Sequence, residues 1–530
     1  MTRPHDLSLV AQVSGLQQGA IGPVELASHY LDRIAHAVDL GAFAEVTGES
    51  ALRRAAALEA GGPDGALWGV PSAEKDLVAR AGVPTRYVSR ARVDHVPSTS
   101  DALAEAMDAA GAVSLGKTST SEFGLTGFTE PLIHAPARDP WSTGNGAGGS
   151  SGGAAVAVAA GLLPAAVGSD GGGSIRIPAA TVGVVGLKPS RGRLPIGSGF
   201  DSPDGLSVTG PLARSVEDAG LLLDALAGLA PFSYATAAPG QGPFVRAARA
   251  GSRTLRIGVT TVSPWDDDED IVLDPAARAA FETAAAWLDD AGHDVADADW
   301  HPVGYAALFR VLWRASAARI PLSAEDMALV EPLTAWLVEE GRALSARDLL
   351  GGLAEARAFE RRTISDFAAF DAVLTPALAQ APQPVGAYAG HDPERTFAMQ
   401  VEYAPYSSFV NVAGHHRRER TPGLGAGDRP SRRRGDPARA RGGARGPPRP
   451  PPAPAGVGRV TSGIPRVRGP EGPADFGNMH ARKGFAHAFD RSQRARERAS
   501  VTSLTSRSGR RNSISRVTRI MRQPAAARRS

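Results

Sequence analysis

The chain has no cysteine among its 530 residues. That excludes a disulfide framework, a thiolate nucleophile and any Cys-ligated metal. A long apolar run is also missing. The longest such stretch, 154–167, contains Gly161 and Pro164 and is too short and small-sided to span a bilayer, so no membrane partner is expected. The N-terminus lacks the charged-then-apolar pattern of a signal peptide, and the expectation is a cytoplasmic protein. No HExxH, paired histidines or carboxylate cluster stands at metal-ligand spacing, and the eight histidines before residue 415 are dispersed. The acidic run 266–270 reads as a solvated loop rather than a calcium site, so no metal is expected.

Charge divides the chain in two. Residues 415–530 carry 27 Arg and one Lys against seven acidic residues, a net of +21. The first 414 residues carry 30 basic and 48 acidic side chains, a net of −18. In the tail, Leu, Ile, Val and Phe make up 13 of 116 residues, well below the roughly 20% at which a chain can bury a core. That composition, with a Pro run at 450–452, predicts disorder. Its RGGARG segment (441–446) would attract nucleic acid through charge alone, without specificity.

The first 414 residues are long enough for one large α/β domain with additions. Residues 1–65 read as helical. The stretch around Lys75 is extended, 101–110 is a short helix and 111–115 a buried strand. A small-residue helix is expected at 154–160, strands at 165–169 and 182–187, and a helix at 215–226 with Ser215 as N-cap and Asp218 three residues on. After a connection over 231–251 come a strand at 255–259 and a helix from Asp274-Pro275 to Ala291 closed by Gly292. Further helices are expected at 304–318, 323–340 and 346–368, and a strand at 371–378. Strands alternating with helices argue α/β, and the helix-rich span 274–368 reads as a cover over one end of the sheet.

Two familiar patterns fail in context. Residues 111–118 match a P-loop letter for letter, but the four variable residues are themselves the strand, and no phosphate-holding helix follows. Gly149-Ser150-Ser151-Gly152-Gly153 contains G-x-S-x-G, but the DPWSTGNGAG before it is loop rather than the strand an α/β-hydrolase elbow needs. What remains is 148–189, with two glycine-framed serine sites, Ser150-Ser151 and Ser174, around a helix of small residues. Glycines permit sharp turns and close approach to a ligand. A serine framed this way can present its hydroxyl beside backbone N–H groups, as acyl transfer requires. No histidine is placed to serve as base. A buried lysine can be neutral and fill that role. Lys75 precedes the apolar Leu77-Val78; on the residues alone it reads first as an ordinary surface or strand-end lysine, with the catalytic role the minority reading.

These segments resemble the amidase signature family of Ser–cisSer–Lys hydrolases. The likeness rests on GGSSGG, GSDGGGSIRIPAA and GVVGLKPSRGR, supported by ALWGVPSAEKDLV, AGAVSLGKTSTSEFG, GPLARSVEDAGLLLDAL and FDAVLTPAL, and spans roughly 20–414. It implies a single α/β/α domain with a mixed β-sheet between helical layers. It also implies hydrolysis of a small-molecule carboxylic amide without a cofactor, and it allows a homodimer. Ser174 would be the nucleophile, Lys75 the neutral base, and Ser150, on a cis Gly149–Ser150 peptide, the relay between them. Backbone N–H groups of Gly171, Gly172, Gly173 and Ser174 would form the oxyanion hole, where one donor is typically worth ~2.7–4 kcal/mol. Ser151, Asp170 and Arg176 would support the site.

On this likeness the chain divides into an N-terminal helical part (1–65), the signature core (66–230), a substrate-covering region (231–370), a return to the sheet (371–414) and the tail (415–530). An alternative is the amidase-like subunit of a tRNA-dependent amidotransferase. Three departures stand out. Gly171 replaces a usual Thr or larger residue, and Glu74 replaces a usual apolar one, pointing away from the site if strand alternation holds. The likeness also ends at His415, where the Arg-rich composition is that of an out-of-frame translation of GC-rich DNA. On that reading the chain is a truncated amidase that lacks its last strands and exposes a sheet edge.

Overall fold

Small and apolar residues buried on both faces set the central strands. In this computed structural model, residues 3–195, 205–229, 242–251 and 253–414 are described, all within one compact unit, Met1–Arg418. The tail 415–530 and most of the 231–251 connection lie outside the described residues. The described strands are β1 (Phe43–Val46), β2 (Pro71–Lys75), β3 (Val113–Thr118), β4 (Ala165–Asp170), β5 (Val185–Gly186), β6 (Val208–Ala213), β7 (Arg256–Val259), β8 (Asp294–Asp297) and β9 (Ala372–Leu374). Every residue of β2, β4 and β6 is buried, as expected for strands covered on both faces.

The architecture is the mixed α/β one expected, with its hydrogen-bonded ladders in three groups: β1–β3–β2, β4–β6–β5 and β8–β7–β9. Parallel pairing sets Lys75 opposite Thr118, and antiparallel pairing sets Asp170 opposite Val208. Lys75 Nζ donates to Ser169 Oγ at 3.1 Å, so side chains link the ends of β2 and β4. The helix Gly152–Ala159 runs beside these strands with seven of its eight residues buried. Its small side chains allow that approach: a Cβ on Gly153 would lie 2.4 Å from the Ala42 carbonyl oxygen and the Ser119 nitrogen. A second, aromatic core holds Trp265, Trp300, Tyr305 and Phe309 together with other residues of the helices Tyr305–Ala318 and Pro332–Ala343.

Several local expectations change. Residue 182 closes the helix Arg176–Val182, which ends on left-handed Gly183 (φ +75°), so the strand expected over 182–187 shrinks to β5. The helix expected over 323–340 is two helices, Ala324–Met327 and Pro332–Ala343, because the residue before a proline is pushed out of helical backbone and Glu331 is extended. Ser215 does cap Val216–Leu226, accepting from the Asp218 N–H, but the Asp218 carboxylate accepts from Val10 N–H instead of closing a capping box. The expected 371–378 strand is three residues long. Strands β1, β6 and β8 and the helices Pro393–Tyr403 and Ser408–Ala413 carried no clear pattern.

Candidate active site

Lys75 ends β2, and the buried pleat aims its side chain at the first glycine-framed pair. Its Nζ donates to Ser150 Oγ at 2.7 Å and to Ser169 Oγ at 3.1 Å. The lysine is 1% exposed. Burial pulls its ammonium pKa down to about 7 against the opposing Asp170 carboxylate. The neighbouring Glu74 turns the other way, as strand alternation requires. Its carboxylate accepts from Arg80 Nη2 at 2.5 Å and from Ser114 Oγ at 2.7 Å. Although burial pushes the Glu74 pKa up, Arg80 brings it below the usual carboxylate range.

Ser150 follows a cis peptide from Gly149. Ser151, next in the chain, donates its N–H to the Ser174 carbonyl at 3.0 Å and its Oγ–H to the Ser169 carbonyl at 3.2 Å. Those two bonds fasten the Ser150 segment both to β4 and to the Ser174 turn. Ser150, Ser169, Gly171 and Ser174 line one cavity together.

Asp170, the last residue of β4, organises the turn that carries Ser174. Its carboxylate accepts from Gly173 N–H at 2.8 Å, Ile175 N–H at 3.2 Å, Arg176 Nε at 2.9 Å and Nη2 at 2.8 Å, and Asn411 Nδ2 at 3.0 Å. Burial alone would raise its pKa, but the Arg176 guanidinium holds it far below the carboxylate range. Arg176 also donates to the Ser407 carbonyl at 2.7 Å and to Asn411 Oδ1 at 2.6 Å. Ser407 Oγ donates to the Gly172 carbonyl at 2.7 Å. Residues 407–411 therefore brace the glycine turn from behind.

This bracing corrects one expectation. The Gly173 N–H donates to the Asp170 carboxylate at 2.8 Å, so it is already engaged rather than free for the oxyanion role expected of it. Among the described residues, the N–H groups of Gly171, Gly172 and Ser174 have no protein acceptor, and these three are the donors left for that role. Gly173 has a different task. Its φ is +132°, and a Cβ there would fall 2.1 Å from Ser407 Oγ. At Gly171 a Cβ would come within 3.2 Å of the Trp313 ring, so the missing side chain at this position is compensated by the indole of the cover.

Ser169, Trp313, Ser407 and Asn411 were not singled out from sequence. Ser169 carried a usable signal, since it ends the predicted strand one residue before Asp170. The other three come from regions without motifs. Among the described residues, no group of three or more His, Cys, Asp or Glu could hold a metal, and no helix is long and apolar enough to cross a membrane.

The Amidase family model matches residues 25–423. The chain belongs to the Amidase family. AmiB2 of Mycobacterium tuberculosis, an amidase by name, is 38% identical over 423 residues, covering 78% of this chain and 88% of the relative. A glutamyl-tRNA(Gln) amidotransferase subunit from Desulforapulum autotrophicum is 36% identical over 326 residues, 61% of this chain and 66% of the relative. The solved structure of 6-aminohexanoate cyclic dimer hydrolase superimposes with a TM-score of 0.68 at 29% identity, covering 78% of this chain and 89% of that one. With these neighbours the Amidase-family chain is an amide hydrolase built on the family's α/β fold.

Proposed function

We propose that this protein hydrolyses a carboxylic amide to a carboxylate and ammonia or an amine through an acyl-enzyme on Ser174. The observation that carries the reading is the buried Lys75, its pKa lowered to about 7, 2.7 Å from a serine that shares a cavity with Ser174. Neutral Lys75 takes the Ser150 hydroxyl proton as Ser150 takes that of Ser174. The Ser174 Oγ bonds to the amide carbon, and the carbonyl oxygen becomes an oxyanion facing the N–H groups of Gly171, Gly172 and Ser174. As the C–N bond breaks, Ser150 gives its proton to the leaving nitrogen and recovers one from Lys75, which is neutral again. Water then attacks the ester, losing its proton to the same relay. The carboxylate leaves and Ser174 is restored. Fixed donors aimed at the developing charge are usually the largest single contribution to lowering the barrier of such a reaction. Ser151, Asp170 and Arg176 act by holding the two serine segments in place. A cytoplasmic, homodimeric enzyme acting on a small molecule fits this reading.

The test is intact-protein mass spectrometry after a fluorophosphonate probe, with Ser174→Ala as control. A single adduct lost in the variant is expected; no adduct on folded protein would sink the assignment. The likeness to an amidotransferase component supports a second reading, in which the ammonia passes to a partner and a tRNA-linked acceptor. Release of ammonia or amine by the isolated chain, with no partner present, argues for the hydrolase.

A further inference from the structure

Two cavities meet at Ser174; both have apolar walls, and they differ in the polar and charged groups set into them. The first includes Ser150, Ser169, Gly171, Ser316 and Arg319. The second includes Gly172, Ile177, Trp265, Phe309 and Phe397. Trp313 and Leu125 line both. Ser150 decides which half of an amide goes where, because it returns a proton to the leaving nitrogen. The amine half therefore lies in the first cavity and the acyl half in the second, among aromatic rings.

Among the described residues, the first cavity has one charged group in its lining, Arg319, and no carboxylate. Arg319 follows the helix Tyr305–Ala318 of the cover. The other arginines of that helix are matched: Arg310 pairs with Asp268 and with Glu269, and Arg314 with Glu340 at 3.4 Å. Arg319 has no ion pair or side-chain hydrogen bond among the described residues, and it is exposed at the cavity edge. A guanidinium with five free donors is matched to a carboxylate.

Building on the amidase reading, we propose that Arg319 binds an anionic group on the amine half of the substrate. The preferred substrate class is then an N-acyl amino acid: an aromatic or alkyl acyl group in the second cavity, amide-linked to an amine that bears a carboxylate. Hydrolysis adds one water across the C–N bond and yields an aryl or alkyl carboxylic acid and an amino acid.

The experiment compares N-phenylacetylglycine with N-(2-methoxyethyl)phenylacetamide, a neutral partner of similar length. Phenylacetate, the product of both, is read by chromatography. The wild type is expected to show kcat/KM about fivefold or more higher for the anionic amide, through KM, the range open to a partly solvated charge-assisted contact. Arg319→Gln should bring the ratio of the two substrates near one, Arg319→Lys should keep part of it, and Arg319→Glu should invert it. A ratio near one in the wild type, or one unchanged in Arg319→Gln, overturns the proposal. Hydrolysis of neither substrate by protein whose Ser174 takes the fluorophosphonate overturns the substrate class alone. Failure of folded protein to take the probe overturns the amidase reading and this inference with it.

Discussion

Lys75 Nζ lies 2.7 Å from Ser150 Oγ, and both residues are buried. The short distance makes a proton relay geometrically direct, and burial, by disfavouring the ammonium, leaves the lysine neutral and able to accept a proton. With its pKa lowered to about 7, the base is charged below that pH and free above it. The expected profile of kcat/KM therefore rises about tenfold per pH unit below pH 7 and levels above it. A flat acid limb would exclude Lys75 as the base. Lys75→Met should lower kcat/KM by about 10²–10⁴-fold, the usual share of a general base.

The same burial has a stability consequence. In the unfolded chain Lys75 titrates near its ordinary value of 10.5, and in the fold near 7. Between these values the unfolded state holds a proton that the folded state has released, so stability rises with pH across that window. Below pH 7 the fold must bury the charge. Lys75→Met removes that cost, so its melting temperature relative to wild type should be highest at pH 6 and fall toward pH 10. A gap independent of pH would mean the lysine titrates normally in the fold.

Asp170 gathers five donors, among them the Gly173 N–H of the glycine turn, and removing its charge strands Arg176. Breaking a buried ion pair from one side typically costs about 3–5 kcal/mol. Asp170→Asn should show that loss in urea unfolding, together with reduced probe labelling of Ser174 as the turn loosens. Because the Asp170 pKa is depressed in the fold, its contribution is present above the ordinary carboxylate value of 3.8 and is lost as pH falls below it. The gap between variant and wild type should therefore close in acid.

Gly173 and Gly171 should respond differently to a methyl group. At Gly173 both the backbone (φ +132°) and the Ser407 hydroxyl, 2.1 Å from a built Cβ, oppose a side chain. At Gly171 only the edge of the Trp313 ring has to yield. Gly173→Ala should cost more than the roughly 1–3 kcal/mol typical of overpacking, and Gly171→Ala should stay near the low end. Thermal melts rank the two, and equal losses would show that Ser407 moves aside.

How much of this was legible in sequence depends on whether a residue's role is local. The glycine-framed serines, the small-residue helix and Lys75 sit in segments whose composition is itself the signal. The glycines of 171–173 also announced a tight turn, but not which N–H groups it would free. That depends on the Asp170 carboxylate folding back onto Gly173, a contact between side chain and backbone with no periodicity. Asn411 and Ser407 lie more than 230 residues beyond Asp170 and Gly172, and nothing in their own neighbourhood marks them. The β6 strand, VTGPLA, was hidden by its Gly and Pro, although its position between β4 and β5 buries all six residues. The split of the 323–340 helix is legible in Pro332, which forces the residue before it out of helical backbone.

Glu331 and Glu122 join the cover to the core. The Glu331 N–H donates to Glu122 Oε2 at 2.7 Å, Ser89 Oγ donates to Glu122 Oε1 at 2.6 Å, and the Glu331 carboxylate accepts from Leu132 N–H at 3.1 Å. Burial, then repulsion from Glu122, raises the Glu331 pKa to about 7 from an ordinary 4.5. Across that window the fold holds a proton that the unfolded chain has released, so this group's contribution falls as pH rises from 4.5 through 7. Glu331→Gln keeps a carbonyl oxygen for Leu132 and never ionises. It should match wild type near pH 4 and exceed it above pH 7 by about 2 °C in melting temperature, the scale of roughly 1 kcal/mol in a domain this large. Melts of the two proteins at pH 5 and pH 8 check it. A variant no more stable at pH 8 than at pH 5, relative to wild type, would show that the Glu331 carboxyl does not hold its proton in the fold across that window.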